Sequence, residues 1–253
     1  MEQVRGVPFF LRENGVSGTV FINTHRRDVQ VATRIKFQQN LDDLKERLLI
    51  MAGMAEQAIQ RSIEAYRTRD LSICELVFQS EPLINRLERE IDQMALDLLA
   101  MEQPMAIDLR FILSVIRINA DLERVGDQAV NIAVRVREMG AFANIDLPVD
   151  IPKLASLSSA MVRKALQAFI EADAELAQSV LKLDDQVDEM NDAAFYSLST
   201  LIKEKPELTP QSLNALIIAR NLERVGDHAT NIAEDVIFWV RGKDVRHRSG
   251  VVV

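Results

Sequence analysis

The chain contains one cysteine, Cys74, which rules out an internal disulfide and fits a reducing compartment. It has little glycine or proline (nine and seven residues), and aromatics make up 5%. Such a composition argues against a β-sandwich or barrel and against a turn-rich or disordered chain. No stretch of 18 or more apolar residues is present, so no membrane span is expected. The apolar segment from Gly6 to Leu11 is short and followed at once by Arg12 and Glu13, a poor secretory signal. Positive charge is also in deficit: the formal net charge is −8, where a nucleic-acid binder would present a basic face. With three histidines, none of them three residues after a glutamate, a di-iron oxidase built on Glu-x-x-His is excluded. No P-loop, nucleophile elbow or other catalytic spacing occurs, and an enzyme is not expected.

What remains is rich in Leu, Ala, Ile, Glu, Asp and Arg, the composition of helical bundles. One stretch occurs twice. Residues 121–133 read DLERVGDQAVNIA and residues 221–233 read NLERVGDHATNIA, with ten of thirteen positions identical. Such self-similarity marks a duplicated structural unit. On a helix, Leu122, Val125, Ala129, Ile132 and Val136 form one apolar stripe that faces a core. Glu123, Asp127 and Asn131 form a second stripe roughly opposite, with the two acids about 6 Å apart. Like charges at this spacing cost helix stability, so keeping the pair in both copies (Glu223 and Asp227 in the second) points to a bridging cation as well as to a plain solvated face.

Taken in order, residues 1–33 carry no motif. Gly6, Pro8, Gly15 and Gly18 interrupt any helix there, and a loosely ordered extension is expected. Helical spacing begins near Phe37 and gives a first helix to about Thr68. Asp70 is placed to cap a second helix, which runs to about Glu102 and is kinked or loosened at Pro82. Gln103 and Pro104 close it, and the third helix spans Ile107 to Arg137. Methionines 51, 54, 94 and 101 on the apolar stripes read as core filler. A linker, 140–152, holds two prolines. The second half repeats the plan: a helix over 153–172, one from an Asp173 cap to about Lys205, and one opened by Thr209-Pro210 and ending near Val240. The tail 243–253 is expected to fray.

The fold expected is therefore all-α, two tandem similar three-helix bundles over 34–139 and 153–242. The second helices carry further acids at i, i+4: Glu88 and Asp92 in the first half, Asp188 and Asp192 in the second. Asp184 and Asp185 stand close enough to leave the choice there open. Carboxylate-only sets suit Mg²⁺, Mn²⁺, Ca²⁺ or oxidised iron better than a tight zinc site. His228, replaced by Gln128 in the first copy, reads as surface polarity, and Arg124 and Arg224 as partners of acids on their own helices or of acids on a partner protein.

The twin LERVGD stretches resemble the signature of the PhoU family. So do Gln103-Pro-Met-Ala-Ile-Asp-Leu-Arg110 before the first copy and Val240-Arg-Gly-Lys-Asp-Val-Arg-His247 after the second. The resemblance covers about residues 34–248. It implies two three-helix bundles in the cytoplasm, often dimeric, and a negative regulator of the phosphate-starvation response that modulates phosphate uptake. Its implied partners are the cytoplasmic ATPase side of the phosphate ABC transporter and a sensor histidine kinase. The membrane is met only through those partners, and no nucleic acid is involved. The resemblance also implies multinuclear metal clusters, of iron foremost, with zinc, manganese or magnesium as alternatives. The paired E(D)xxxD positions are Glu88/Asp92, Glu123/Asp127, Asp188/Asp192 and Glu223/Asp227. Because Asp188/Asp192 lacks a glutamate, the second cluster is expected to be weaker or to differ in metal. A metal-storage or phosphoesterase-like protein, and an accessory of another transporter, are the rival readings.

Overall fold

The computed structural model describes residues 24–101 and 104–246. Most of the expected N-terminal extension, the end of the second helix at Glu102 and Gln103, and the tail beyond Arg246 lie outside these residues. The described residues form seven α-helices and one short 3₁₀ turn, with no strand among them. They are α1 (Thr24–Thr68), α2 (Leu71–Met101), α3 (Ala106–Met139), α4 (Ile151–Glu171), α5 (Ala174–Leu181), α6 (Asp184–Glu204) and α7 (Thr209–Arg241). The chain divides into two compact units, residues 1–43 and residues 44–253.

In the first unit, α1 begins at Thr24, well before the expected start near Phe37. Residues 24–36 lack glycine and proline, so the helix propagates through them. Their few apolar residues make no stripe for periodicity to detect, and Ile35 is exposed.

In the second unit, both repeats share one body. From the first, the remainder of α1 buries Leu44, Leu48, Met51, Ala55 and Ile59, and α2 buries Val77, Ile84, Ile91 and Leu98. Met54 and Met94 are half-buried. Asp70 accepts hydrogen bonds from the backbone N–H (2.9 Å) and hydroxyl (2.6 Å) of Ser72, the cap expected for α2. Pro82 lies inside α2 without ending it.

The second repeat departs from the plan at two places. Its middle helix is broken: α5 stops at Leu181, and α6 restarts at Asp184 with Asp184 and Asp185 in its first turn. Carboxylates there complement the partial positive charge of a helix N-terminus, which favours a new start at that point. Thr209 also does not cap α7. It occupies the first helical position, and its hydroxyl donates to the carbonyl of Pro206 (2.6 Å) at the head of the 3₁₀ turn. Asp173 does cap α5, accepting from Glu175 N (2.8 Å) and Leu176 N (3.0 Å). Asp150 caps α4 through Lys153 N (2.9 Å).

The spine of the unit is α3 packed antiparallel along α7, the two helices that carry the duplicated stretch. Their predicted apolar stripes are buried throughout, from Leu122 to Val136 and from Leu222 to Val236. Along the seam, Arg110 Nε donates to Trp239 O (3.2 Å) and Ser114 Oγ to Asp235 O (2.9 Å), while Arg117 pairs with the Asp235 carboxylate (3.0 Å). At one end Phe111, Phe169 and Trp239 form an aromatic cluster with centroids 5.0–5.9 Å apart, joining α3, α4 and α7.

The glycine shared by both copies serves close packing. A Cβ at Gly126 would lie 3.0 Å from Ile84 Cδ1 on α2, and one at Gly226 would lie 3.3 Å from Val187 Cγ1 on α6. Gly126→Ala is therefore expected to lower stability by about 1 kcal/mol net. The crowding of Ile84 costs about 1–3 kcal/mol, and the helix propensity of alanine offsets up to about 1 kcal/mol of it. Urea denaturation of Gly126→Ala and of Gly126→Ala/Ile84→Val checks this: the second change should recover most of the loss.

Candidate functional site

The acids that the sequence singles out gather on two patches, one per repeat. In the first, Glu88 and Asp92 come from α2 and Glu123 and Asp127 from α3. Burial pushes the Glu88 carboxyl above its usual range, and the negative charges of Asp92 and Asp127 push it further. Glu123 is raised by burial, then by Asp127, Glu88 and Glu81. Asp127 is raised by burial, against the opposing charge of Arg124. Glu81 was not expected here; it stands two helical turns before Glu88, a spacing of seven that repeats on one face. Asp92 is anchored by the buried Asn119, whose Nδ2 donates to Asp92 Oδ1 and to Glu88 O (both 2.9 Å).

In the second patch Asp188 of α6 meets Glu223 and Asp227 of α7. Asp192 is not brought to it. That residue is exposed and lines a neighbouring surface cleft with Phe195, Tyr196, Leu213, Ile217 and Arg220. Its place is taken by Asp184, one turn before Asp188. Burial raises the Asp184 carboxyl, a hydrogen bond from Thr230 Oγ1 (3.1 Å) opposes that, and Asp188 and Asp227 raise it again. Against the shared glycines, Val187 of α6 holds the position that Ile84 holds on α2.

Glu223 is the most perturbed group of either patch. It is 8% exposed, its Oε1 meets Arg220 Nη1 at 2.5 Å, and its Oε2 is buried without a partner. Burial foremost, then the charges of Asp227 and Asp188, raise its pKa to about 7. Asp227 is raised by burial and by Asp188.

The two copies of the stretch face each other across one open cleft of about 560 Å³, lined by Glu123, Arg124, Asp127, Gln128, Arg224, Asp227 and His228. His228 is not ordinary surface polarity. It is half-buried, and its Nδ1 lies 2.9 Å from Asp121 Oδ1 across the seam, where Asn231 Nδ2 also donates to Asp121 (3.1 Å). The mirror-related positions hold Asn221 and Gln128, and Gln128 Oε1 is buried without a partner. The arginines do not take the first of their two expected partners. Neither Arg124 nor Arg224 makes an ion pair or hydrogen bond among the described residues, although each has acids one and three positions away on its own helix. Glu123 and Asp127 are half-buried and Glu223 is buried, whereas both arginines are exposed.

Among the described residues no three His, Cys, Asp or Glu side chains converge into a ready-made ion cage. The donor chemistry nonetheless suits a hard cation. The carboxylates are clustered and mutually repelling, those of Glu88, Glu123, Asp127, Asp184, Glu223 and Asp227 are raised in pKa, and Glu223 has an orphaned oxygen.

Comparison with known proteins follows the duplication. The model of the PhoU domain matches the chain twice, over residues 48–136 and 151–236. The phosphate-specific transport system accessory protein PhoU homologue of Pseudomonas aeruginosa is 38% identical over 213 residues, 84% of this chain and 88% of that protein. The accessory protein PhoU of Escherichia coli K12 is 30% identical over 215 residues, covering 85% and 89% of the two chains. The crystal structure of PhoU from P. aeruginosa superposes with a TM-score of 0.79 at 37% identity, covering 82% of this chain and all of that one. The phosphate transport system regulatory protein PhoU from Streptococcus pneumoniae gives a TM-score of 0.77 at 28% identity, covering 83% and 99%. These relatives are named as accessory and regulatory proteins, not as enzymes.

Proposed function

The chain belongs to the PhoU family, and from that premise we propose that it is an accessory of phosphate-specific transport and a negative regulator of the phosphate-starvation response. In this reading it is a cytoplasmic adaptor between the phosphate ABC transporter and a sensor histidine kinase. The observation that carries the reading is the pairing of two PhoU matches with a doubled acidic surface: each repeat presents its own patch beside the same seam. No described helix is long and apolar enough to cross a membrane, so contact with a transporter would be made through exposed helix faces.

The acid patches belong to the same proposal. Glu88, Asp92, Glu123 and Asp127 would hold a hard cation in the first repeat, and Asp184, Asp188, Glu223 and Asp227 in the second. A bound cation would supply the positive charge that offsets the repulsion among these carboxylates, which would otherwise oppose docking on acidic partners or anionic head groups. The protein's own residues shape the patches: Asn119 fixes Asp92, Thr230 fixes Asp184 and Arg220 fixes one oxygen of Glu223.

The test is secreted phosphatase activity in phosphate-rich medium, in the native host with and without the gene. Constitutive activity in the deletion, silenced again by the intact gene, is the expected result. Complementation with Glu123→Ala/Asp127→Ala then reports on the patches. Repression that survives the deletion would overturn the regulatory reading and move an accessory role at another transporter to the front.

A further inference from the structure

We propose that the cleft between the two repeats binds a phosphate-bearing oxyanion together with a cation, with Arg124 and Arg224 as the anion's ligands. The inference rests on the preceding reading in one respect, that the acid patches take up a cation. It departs from that reading in assigning an anion site, and in assigning it to residues outside the acid motifs.

Two guanidinium groups lack partners among the described residues. Most arginines of the second unit are engaged: Arg67, Arg117, Arg135, Arg163, Arg220 and Arg246 all pair with carboxylates. Arg124 and Arg224 make no such pair among the described residues, yet both line one cleft, brought there from opposite repeats by the antiparallel packing of α3 on α7. A guanidinium presents N–H groups in a planar fork that matches phosphate or carboxylate oxygens two at a time. Two such forks at one opening suit an anion with more than two acceptor oxygens, which favours phosphate over a single carboxylate.

Charge decides the co-ligand. Glu123, Asp127 and Asp227 line the same cleft, so a bare anion would meet three carboxylates for two arginines. A cation on the carboxylates and a phosphate on the arginines satisfy both halves of the lining, and about 560 Å³ has room for the two together. A second, independent observation points to a ligand. Gln128 lines the cleft, is 7% exposed, and has a buried carbonyl oxygen with no hydrogen-bond partner, able to accept from a water or from the hydroxyl of a monoprotonated phosphate.

The experiment is equilibrium dialysis of the full chain with Mn²⁺, and with inorganic phosphate or ADP as probes; the two probes separate free phosphate from a nucleotide's phosphate. Phosphate should be retained with Mn²⁺ and released by a chelator, and by linkage it should tighten Mn²⁺ by the same factor. Arg124→Gln/Arg224→Gln should weaken phosphate by about tenfold or more, since charge-assisted bonds are lost, while Mn²⁺ retention in the absence of phosphate stays at the wild-type level. Both arginines are exposed and make no internal bond, so this variant should fold, with circular dichroism as the control. Wild-type phosphate binding in the double variant would overturn the assignment of the arginines. Mn²⁺ retention with no response to phosphate or ADP would overturn the anion site and leave the cation reading standing. Failure to retain Mn²⁺ would overturn both.

Discussion

Replacing Arg117 by alanine is expected to destabilise the protein by about 3–5 kcal/mol, because it strands a buried charge. Asp235 is 3% exposed, and its carboxylate is met by Arg117 Nη1 at 3.0 Å. Burial pushes the Asp235 carboxyl above its usual range; the hydrogen bond and charge of Arg117 are the main forces holding it down, with a smaller contribution from Arg246. The guanidinium of Arg117 also lies over the Phe238 ring at 5.1 Å, so the substitution removes packing as well as charge. Without Arg117, Asp235 is expected to take up a proton, which sets the sign of the pH dependence. A group whose folded pKa lies above its unfolded one gains stability as the pH falls through the folded value. The loss should therefore be larger at pH 8 than at pH 5. Thermal melts followed by fluorescence of Trp239, the only tryptophan, should show a drop on the order of 10 °C at the higher pH. Arg117→Leu/Asp235→Leu should cost less than Arg117→Ala alone, since no charge is left behind. Equal losses in the two variants would mean that the pair contributes through packing and not through charge.

The expected all-α fold and the duplicated plan were legible because they rest on local signals. The apolar stripes from Leu122 and Leu222 need only helical spacing, and Asp70 and Asp173 need only their position before an apolar run. Three features were not legible, each for a different physical reason. The break between α5 and α6 lies in Leu181 to Asp184, where no glycine or proline marks it; the only trace is the density of acids at a new N-terminus. That break places Asp184 one turn before Asp188, and Asp184 is among the acids that the spacing had left as an open choice beside Asp192. The start of α1 lacks an apolar stripe altogether. The seam between repeats depends on the docking of α3 along α7, which no local pattern encodes. Its one trace in the sequence is that the copies diverge in a complementary sense, with Asp121 against Asn221 and His228 against Gln128. The acid and the imidazole that meet across the seam are two of the three changes that set the copies apart.

The metal-free protein is expected to lose stability as the pH rises from 5 to 8, with Glu223 the largest single contributor. Its folded pKa is about 7, against 4.5 for an ordinary glutamate. A raised folded pKa means that the folded state binds the proton more tightly. The relative stability is therefore greatest below about 4.5, declines through the window between the two values, and is fully lost above about 7. A difference of this size corresponds to about 3 kcal/mol between the ends of the window. The other acids shifted in the same direction (Glu88, Glu123, Asp127, Asp184 and Asp227) add to it. Glu223→Gln removes the charge while keeping the shape. Freed of metal by chelation, this variant should be more stable than wild type at pH 8 by about 2–3 kcal/mol and no more stable at pH 5. A cation that binds the folded state alone raises stability in proportion to the logarithm of its concentration over its dissociation constant. Mn²⁺ should thus flatten the wild-type curve at pH 8 and do less for Glu223→Gln. Urea denaturation at the two pH values, with and without Mn²⁺, measures all four corners of this comparison. Parallel pH curves for wild type and Glu223→Gln would show that burial of this carboxylate costs the fold nothing, and the physical case for a cation at the second patch would then rest on its neighbours alone.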